Sequence, residues 1–215
     1  MRVKICGITT VRDARTAARA GADAVGLVFA AGSPRRVTPG QAARIARALP
    51  PGVIPVGVFV NESPVRVATL ARRCRLGRLQ LHGEETPADC RALHCRTGLP
   101  VVKAVRVAGV DDLREISRYR GAVDAILLDT AIPGRRGGTG RAFDWRLAVR
   151  AKRFGLPIIL AGGLRPATVT RAVRRVRPVE VDVSSGVERR LGVKSPTKVL
   201  AFLRAARRGI MRSSP

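Results

Sequence analysis

Gly121-Ala122-Val123-Asp124-Ala125-Ile126-Leu127-Leu128-Asp129 holds the pattern from which the fold is read. A glycine just after an apolar periodic stretch reads as the left-handed cap that ends a helix. Ala125–Leu128 then has the length and composition of a strand, and an ionisable residue follows its last apolar position. Gly21-Ala22-Asp23-Ala24-Val25 resembles the first half of this stretch, so the same helix-to-strand turn is used near the N-terminus. Outward from these two points, short β-branched runs alternate with amphipathic segments along the chain, the pattern of βα units around a parallel sheet. Eight strands are expected: Val3–Cys6, Ala24–Phe29, Ile54–Val60, Arg78–Leu81, Val101–Val105, Ala125–Leu128, Ile158–Ala161 and Glu180–Val183. Helices are expected over 10–20, 39–48, 64–74, 87–97, 110–119, 145–154, 166–176 and 195–207.

Thr38-Pro39, Ser63-Pro64 and Ser195-Pro196 place a capping hydroxyl before a proline at the first helical position. Gly21, Gly77, Gly98, Gly121 and Gly155 read as left-handed helix ends. Eight strands with eight helices argue for one closed (β/α)8 barrel over residues 1–208, since an open doubly wound sheet more often has five or six strands. The Gly/Arg-rich stretch Ile132–Phe143 reads as a lid, and 209–215 as a disordered tail.

The chain has 215 residues, 46% of them hydrophobic, with 41 Lys+Arg against 15 Asp+Glu and a formal charge of +26. Such a charge suggests a nucleic-acid partner only if it is clustered beside stacking aromatics. Here the cations are scattered in ones and twos, and aromatic residues make up 3% of the chain, so the charge reads as solvated helix faces that attract anionic substrates. No apolar run reaches the roughly 18 residues of a membrane span, and none follows the N-terminal charges as in a signal peptide. The four cysteines show no disulfide framework and read as free thiols in a reducing cytoplasm. Cys90 and His94 share a helical face near Cys95, but no second ligand pair of matching spacing accompanies them, and no metal is expected.

In a barrel of this kind the chemistry sits at the C-terminal ends of the strands. Those positions supply Cys6, Arg35 and Arg36, Asn61, His82, Asp129, Gly162-Gly163 and Ser184-Ser185-Gly186. The last two small-residue turns, after strands seven and eight, suit a phosphate, because backbone N–H groups can approach it closely. A cysteine or aspartate at a strand end, beside a glycine turn or after a purely apolar run, points to a site more than to packing.

Lys4-Ile5-Cys6-Gly7-Ile8-Thr9, Gly57-Val58-Phe59-Val60-Asn61, Gln80-Leu81-His82-Gly83, Leu128-Asp129-Thr130, Gly137-Gly138-Thr139-Gly140, Phe143-Asp144-Trp145, Ala161-Gly162-Gly163-Leu164 and Asp182-Val183-Ser184-Ser185-Gly186-Val187-Glu188 occur in one order across nearly the whole chain. Together they resemble the phosphoribosylanthranilate isomerase family of tryptophan biosynthesis. The resemblance implies a cofactor-free Amadori rearrangement of N-(5-phosphoribosyl)anthranilate, a small anionic substrate, by a monomer or homodimer. It also implies Cys6 as general base, Asp129 as general acid, and Arg35 as the clamp on the anthranilate carboxylate, with Arg36 a one-residue alternative. His82 is expected to support the site, and Gly162, Gly163, Ser184, Ser185 and Gly186 to hold the phosphate. Ser195 stands where family members usually carry Asp, which bears on the packing of the last loop. The related isomerase of histidine biosynthesis performs the same rearrangement, but it is expected to carry aspartate where this chain has Cys6.

Overall fold

The computed structural model describes residues 1–130 and 144–210, so the expected lid Ile132–Phe143 and positions 211–215 of the expected tail lie outside the described residues. Eight parallel strands close into a barrel in sequence order: β1 (Arg2–Ile5), β2 (Ala24–Val28), β3 (Ile54–Phe59), β4 (Arg78–Leu81), β5 (Val101–Val107), β6 (Ala125–Thr130), β7 (Ile158–Leu160) and β8 (Glu180–Val183). β1 meets β8 in the register Lys4 to Asp182, which closes the ring.

The shared helix-to-strand turn has a physical meaning. Asp23 donates its N–H to the Val3 carbonyl of β1 at 2.9 Å, accepts the Ile54 N–H of β3 on its own carbonyl at 3.0 Å, and accepts the Val3 N–H on its carboxylate at 2.7 Å; Asp124 likewise donates to the Val101 carbonyl of β5 at 2.9 Å and accepts the Val101 N–H on its carboxylate at 2.7 Å. Each aspartate thereby pairs an N–H at the start of the preceding strand and ties that strand to the turn leading into the next.

The strands alternate faces. Val3, Ile5, Val25, Leu27, Val181 and Val183 belong to the large apolar layer shared with the helices. The opposite face lines the barrel interior. On the β5–β7 side that interior is apolar, with Val102, Ala104, Ala125, Leu127, Ile159 and Ala161. Across from it lie two buried ion pairs. Arg78 grips Glu180 with two bonds of 2.8 and 2.6 Å, and Lys4 donates to Asp182 at 2.7 Å. Such pairs add little net stability over an apolar filling, but removing one partner strands a buried charge and costs about 3–5 kcal/mol.

The helices are α1 (Val11–Arg19), α2 (Pro39–Arg47), α3 (Pro64–Arg73), α4 (Pro87–Thr97), α5 (Trp145–Ala151), α6 (Pro166–Val176) and α7 (Pro196–Arg208). The hydroxyls of Thr38, Ser63 and Ser195 cap as expected; in each case the side chain accepts the N–H three residues on. Ser195 therefore supplies the cap of α7 itself.

Four expectations need correction. The fifth helix is a 3₁₀ segment, Asp111–Tyr119. Its buried residues Leu113, Ile116 and Tyr119 recur every third position, the spacing that aligns on three residues per turn. The expected helix 145–154 divides into α5 and a 3₁₀ turn, Lys152–Phe154, capped by left-handed Gly155. Gly77 is not a left-handed cap: Arg75 takes the positive φ of 50°, and Gly77 is needed for space, since a Cβ there would stand 3.1 Å from Ile54. Finally, the last loop contains an antiparallel hairpin, β9 (Glu188–Arg190) with β10 (Val193–Lys194), that the strand count did not foresee.

Candidate active site

The C-terminal ends of the strands enclose a cavity of about 370 Å³. Its walls include Cys6, Arg35, His82, Asp129, Gly162, Gly163, Ser184, Ser185 and Gly186, so the expected site residues from six separate βα junctions come together. Arg36 is exposed and is not among the lining residues, so of the two neighbours it is Arg35 that faces the cavity.

Cys6 directly follows β1, anchored by its N–H to the Val183 carbonyl at 2.8 Å. Its thiol lies over Gly26 of β2; a Cβ at Gly26 would stand 2.6 Å from Sγ and 3.1 Å from the Cys6 Cα. Burial pushes the thiol above its ordinary pKa; Lys4 pulls it down, Asp182 pushes it up, and Lys194 pulls it down. Burial also works against the Lys4 charge, but Asp182, together with the field of Cys6 and Glu180, holds its pKa above the ordinary lysine value. The base candidate is thus a buried thiol whose ionised form burial opposes and Lys4 favours.

Asp129 faces the cavity from the end of β6. Its Oδ1 accepts the Thr130 N–H at 2.8 Å, and its Oδ2 lies 3.4 Å from His82 Nε2. The Gln80 amide reaches His82 Nδ1 at 3.2 Å. An amide nitrogen donates, so this contact favours the tautomer in which Nδ1 accepts and the ring hydrogen sits on Nε2, the nitrogen nearer Asp129. The Asp129 carboxyl thus meets a backbone N–H on one oxygen and the edge of the His82 ring near the other.

At the other end of the cavity Gly162 and Gly163 take φ of 76° and 66°, where a side chain would be strained. A Cβ at Gly162 would also press on the Thr130 backbone N at 2.9 Å, and one at Gly186 would collide with the Leu164 carbonyl. The absence of side chains therefore lets the β7 and β8 loops touch backbone to backbone, forming the small-residue rim that suits a phosphate.

Arg35 does not hang free in this cavity. Its Nε and Nη2 donate to the two oxygens of Glu188 at 2.7 and 2.8 Å. Glu188 also accepts from Lys194 Nζ at 2.9 Å, and Lys194 donates to the Ser184 carbonyl at 3.1 Å. Burial would raise the Glu188 carboxyl, but the Arg35 fork and Lys194 outweigh it and hold its pKa below the ordinary value.

Arg106, Gln80 and Asp182 also line the cavity and were missed from sequence, as were Lys4 and the Glu188–Lys194 pair behind it. For Lys4, Gln80 and Asp182 a signal existed: each lies two residues before a recognised strand-end residue and so shares its inward face. Arg106 sits where β5 runs beyond its expected end at Val105, paired in register with Asp129. Glu188 and Lys194 meet only through the hairpin. The cysteine–histidine group on α4 separates: Cys90 is buried, Cys95 is exposed, and His94 lies 3.9 Å from Asp124.

A closed barrel whose strand ends gather a thiol, a carboxyl, guanidinium groups and a glycine/serine rim around one cavity has the architecture of a (β/α)8-barrel enzyme. The family model for N-(5'phosphoribosyl)anthranilate (PRA) isomerase matches residues 3–205. The chain is 50% identical over 210 residues to the N-(5'-phosphoribosyl)anthranilate isomerase of Trichlorobacter lovleyi, spanning 98% of this chain and 100% of that protein. It is 51% identical over 207 residues to that of Geobacter sulfurreducens, spanning 96% and 98%. The crystal structure of phosphoribosyl anthranilate isomerase from Thermotoga maritima superposes with a TM-score of 0.90 at 43% identity, over 96% of this chain and 98% of that one. A further isomerase structure, in complex with reduced 1-(o-carboxyphenylamino)-1-deoxyribulose 5-phosphate, gives 0.86 at 42% identity over the same shares. The chain belongs to the N-(5'-phosphoribosyl)anthranilate isomerase family and is an enzyme.

Proposed function

We propose that the protein converts N-(5-phosphoribosyl)anthranilate to 1-(2-carboxyphenylamino)-1-deoxyribulose 5-phosphate in the tryptophan pathway, in the cytoplasm, with Cys6 as base and Asp129 as acid. The observation that carries this reading is one cavity whose walls carry Cys6, just after β1, and Asp129, at the end of β6, together with the Gly162-Gly163/Ser184-Ser185-Gly186 rim and Arg35. Asp129 gives its proton to the ribose ring oxygen as the C1–O bond breaks, leaving a protonated Schiff base at C1. The Cys6 thiolate takes the C2 proton, and the electron pair of that C–H bond forms the C1–C2 double bond of an enolamine. Return of a proton to C1 and loss of the enol proton give the 2-ketone, so that the reaction balances as an isomerisation.

Lys4 supports this by stabilising the thiolate from beneath, and the His82 Nε2–H stabilises the Asp129 carboxylate after proton transfer. The rim holds the phosphate, and Arg35 holds the anthranilate carboxylate through a charge-assisted contact. Freshly generated phosphoribosylanthranilate, mixed with purified protein and no added metal, should lose its fluorescence in proportion to enzyme concentration. A folded protein that leaves that signal at the uncatalysed rate would refute the reading.

A further inference from the structure

A guanidinium has two hydrogen-bonding edges that can each grip a carboxylate, one formed by Nε with a terminal nitrogen and one formed by the two terminal nitrogens. In Arg35 the first edge is taken by Glu188, through Nε at 2.7 Å and Nη2 at 2.8 Å. The described residues offer no other hydrogen-bond partner to that guanidinium, so the second edge is open on a side chain that lines the cavity. Glu188 is 8% exposed and Lys194 1% exposed, so this carboxylate cannot swing out to solvent to release Arg35 cheaply. It is held from behind by Lys194, which also grips the Ser184 carbonyl of the β8 loop, and its own backbone carbonyl accepts from Lys198 Nζ at 2.9 Å.

We propose that Glu188 is a positioning residue that sets specificity: it occupies one edge of Arg35 and, braced by Lys194 and Ser184, aims the other edge at the carboxylate of the ligand's aromatic ring. Arg35 alone would sweep many rotamers from a loop. Fixed by a fork, it presents a planar two-donor edge at one place, at a set distance from the β8 loop that carries Ser184. The same chain of bonds makes the carboxylate end of the cavity and its glycine/serine end one rigid ruler. A molecule with a carboxylate and a phosphate at the right separation satisfies both ends together, and one lacking the ring carboxylate leaves Arg35's open edge unpaired.

The proposal rests on the carboxylate-binding part of the proposed function, and its test separates the two. Glu188→Asp keeps the charge and shortens the side chain by one methylene, so it cannot span Arg35 and Lys194 together. KM for phosphoribosylanthranilate should rise at least about fivefold with kcat within about threefold of wild type, since the contact lies away from the reacting carbons. The competitive inhibition constant of N-(5-phosphoribosyl)aniline, which lacks the carboxylate, should change less than twofold. Equal weakening of both ligands, or an unchanged KM, overturns the positioning role, whereas a wild-type protein without turnover overturns the function instead. A measurement on the unaltered protein stands beside the variant: the Arg35 Nε–H resonance, identified by its loss in Arg35→Lys, should be shielded from solvent exchange in the free enzyme and remain so with reduced product analogue bound. Release of that proton to exchange on binding would mean that Arg35 trades Glu188 for the ligand, and would also overturn the proposal.

Discussion

Lys4→Met tests the buried pair beneath the thiol in two independent ways. Lys4 is fully buried and donates to Asp182 Oδ2 at 2.7 Å, while Asp182 Oδ1 has no hydrogen-bond partner among the described residues. Methionine fills nearly the same volume, so packing changes little, but a carboxylate that is 7% exposed loses its one hydrogen-bond partner among the described residues. The cost should be about 3–5 kcal/mol, a fall in Tm of about 6–20 °C at the 2–4 °C per kcal/mol typical of a chain this long. The double variant Lys4→Met/Asp182→Asn should recover most of that, because it removes the stranded charge. The second consequence concerns Cys6. In the proposed mechanism the active form is the thiolate, so kcat should rise with pH as the thiol ionises, and any change that raises the Cys6 pKa should move this limb to higher pH. Lys4 is the largest influence pulling that pKa down and Asp182 the next pushing it up, so losing Lys4 shifts the limb upward. Removing the Lys4 charge leaves burial and the Asp182 carboxylate opposing ionisation, so the displacement is upward. Thermal melting and a kcat–pH profile under saturating substrate measure the two effects. A destabilised variant whose limb stays in place would show that Lys4 only supports the barrel, and an undiminished Tm would refute the account of the ion pair itself.

Arg35→Ala should raise KM far more than it lowers kcat and cost about 2–4 kcal/mol in kcat/KM, whereas Arg36→Ala should leave steady-state constants near wild type; the reverse pattern would move the clamp to the exposed residue. Cys6→Ser and Asp129→Asn should each abolish nearly all turnover in protein whose circular dichroism is unchanged, and the double variant should be little worse than either single one. Gly26→Ala should displace the thiol, lowering kcat at least tenfold and stability by about 1–3 kcal/mol of overpacking, and retained activity would show that Cys6 has room to move. Added salt should lower kcat/KM and leave kcat almost unchanged, because the charge of +26 acts on the encounter with a proposed substrate that carries both a phosphate and a carboxylate; a parallel fall in kcat would contradict steering.

The chain's order of strands and helices follows from local signals that need no partner. Apolar runs of strand length, Thr38-Pro39 and Ser63-Pro64 starts and the Gly21, Gly98 and Gly121 ends are each settled within a few residues, by sterics and hydrogen bonds that the segment carries itself. The same locality made Cys6 and Asp129 legible, since each lies where an apolar strand stops. Spacing alone could not tell a 3₁₀ segment from an α-helix over Asp111–Tyr119, because Leu113, Ile116 and Tyr119 fit both periods until their burial is known. Nor could it choose between Arg35 and Arg36, neighbours of identical chemistry that differ only in which one the loop turns toward the cavity. Least legible was the support beneath the site. Lys4 and Asp182 are 178 residues apart, and Arg35 and Glu188 are 153 apart. A charge in a sequence looks the same whether water or a buried partner will surround it; only closure of β1 on β8 and the folding back of the β9–β10 hairpin decide which charges are solvated and which hold the barrel and its arginine in place.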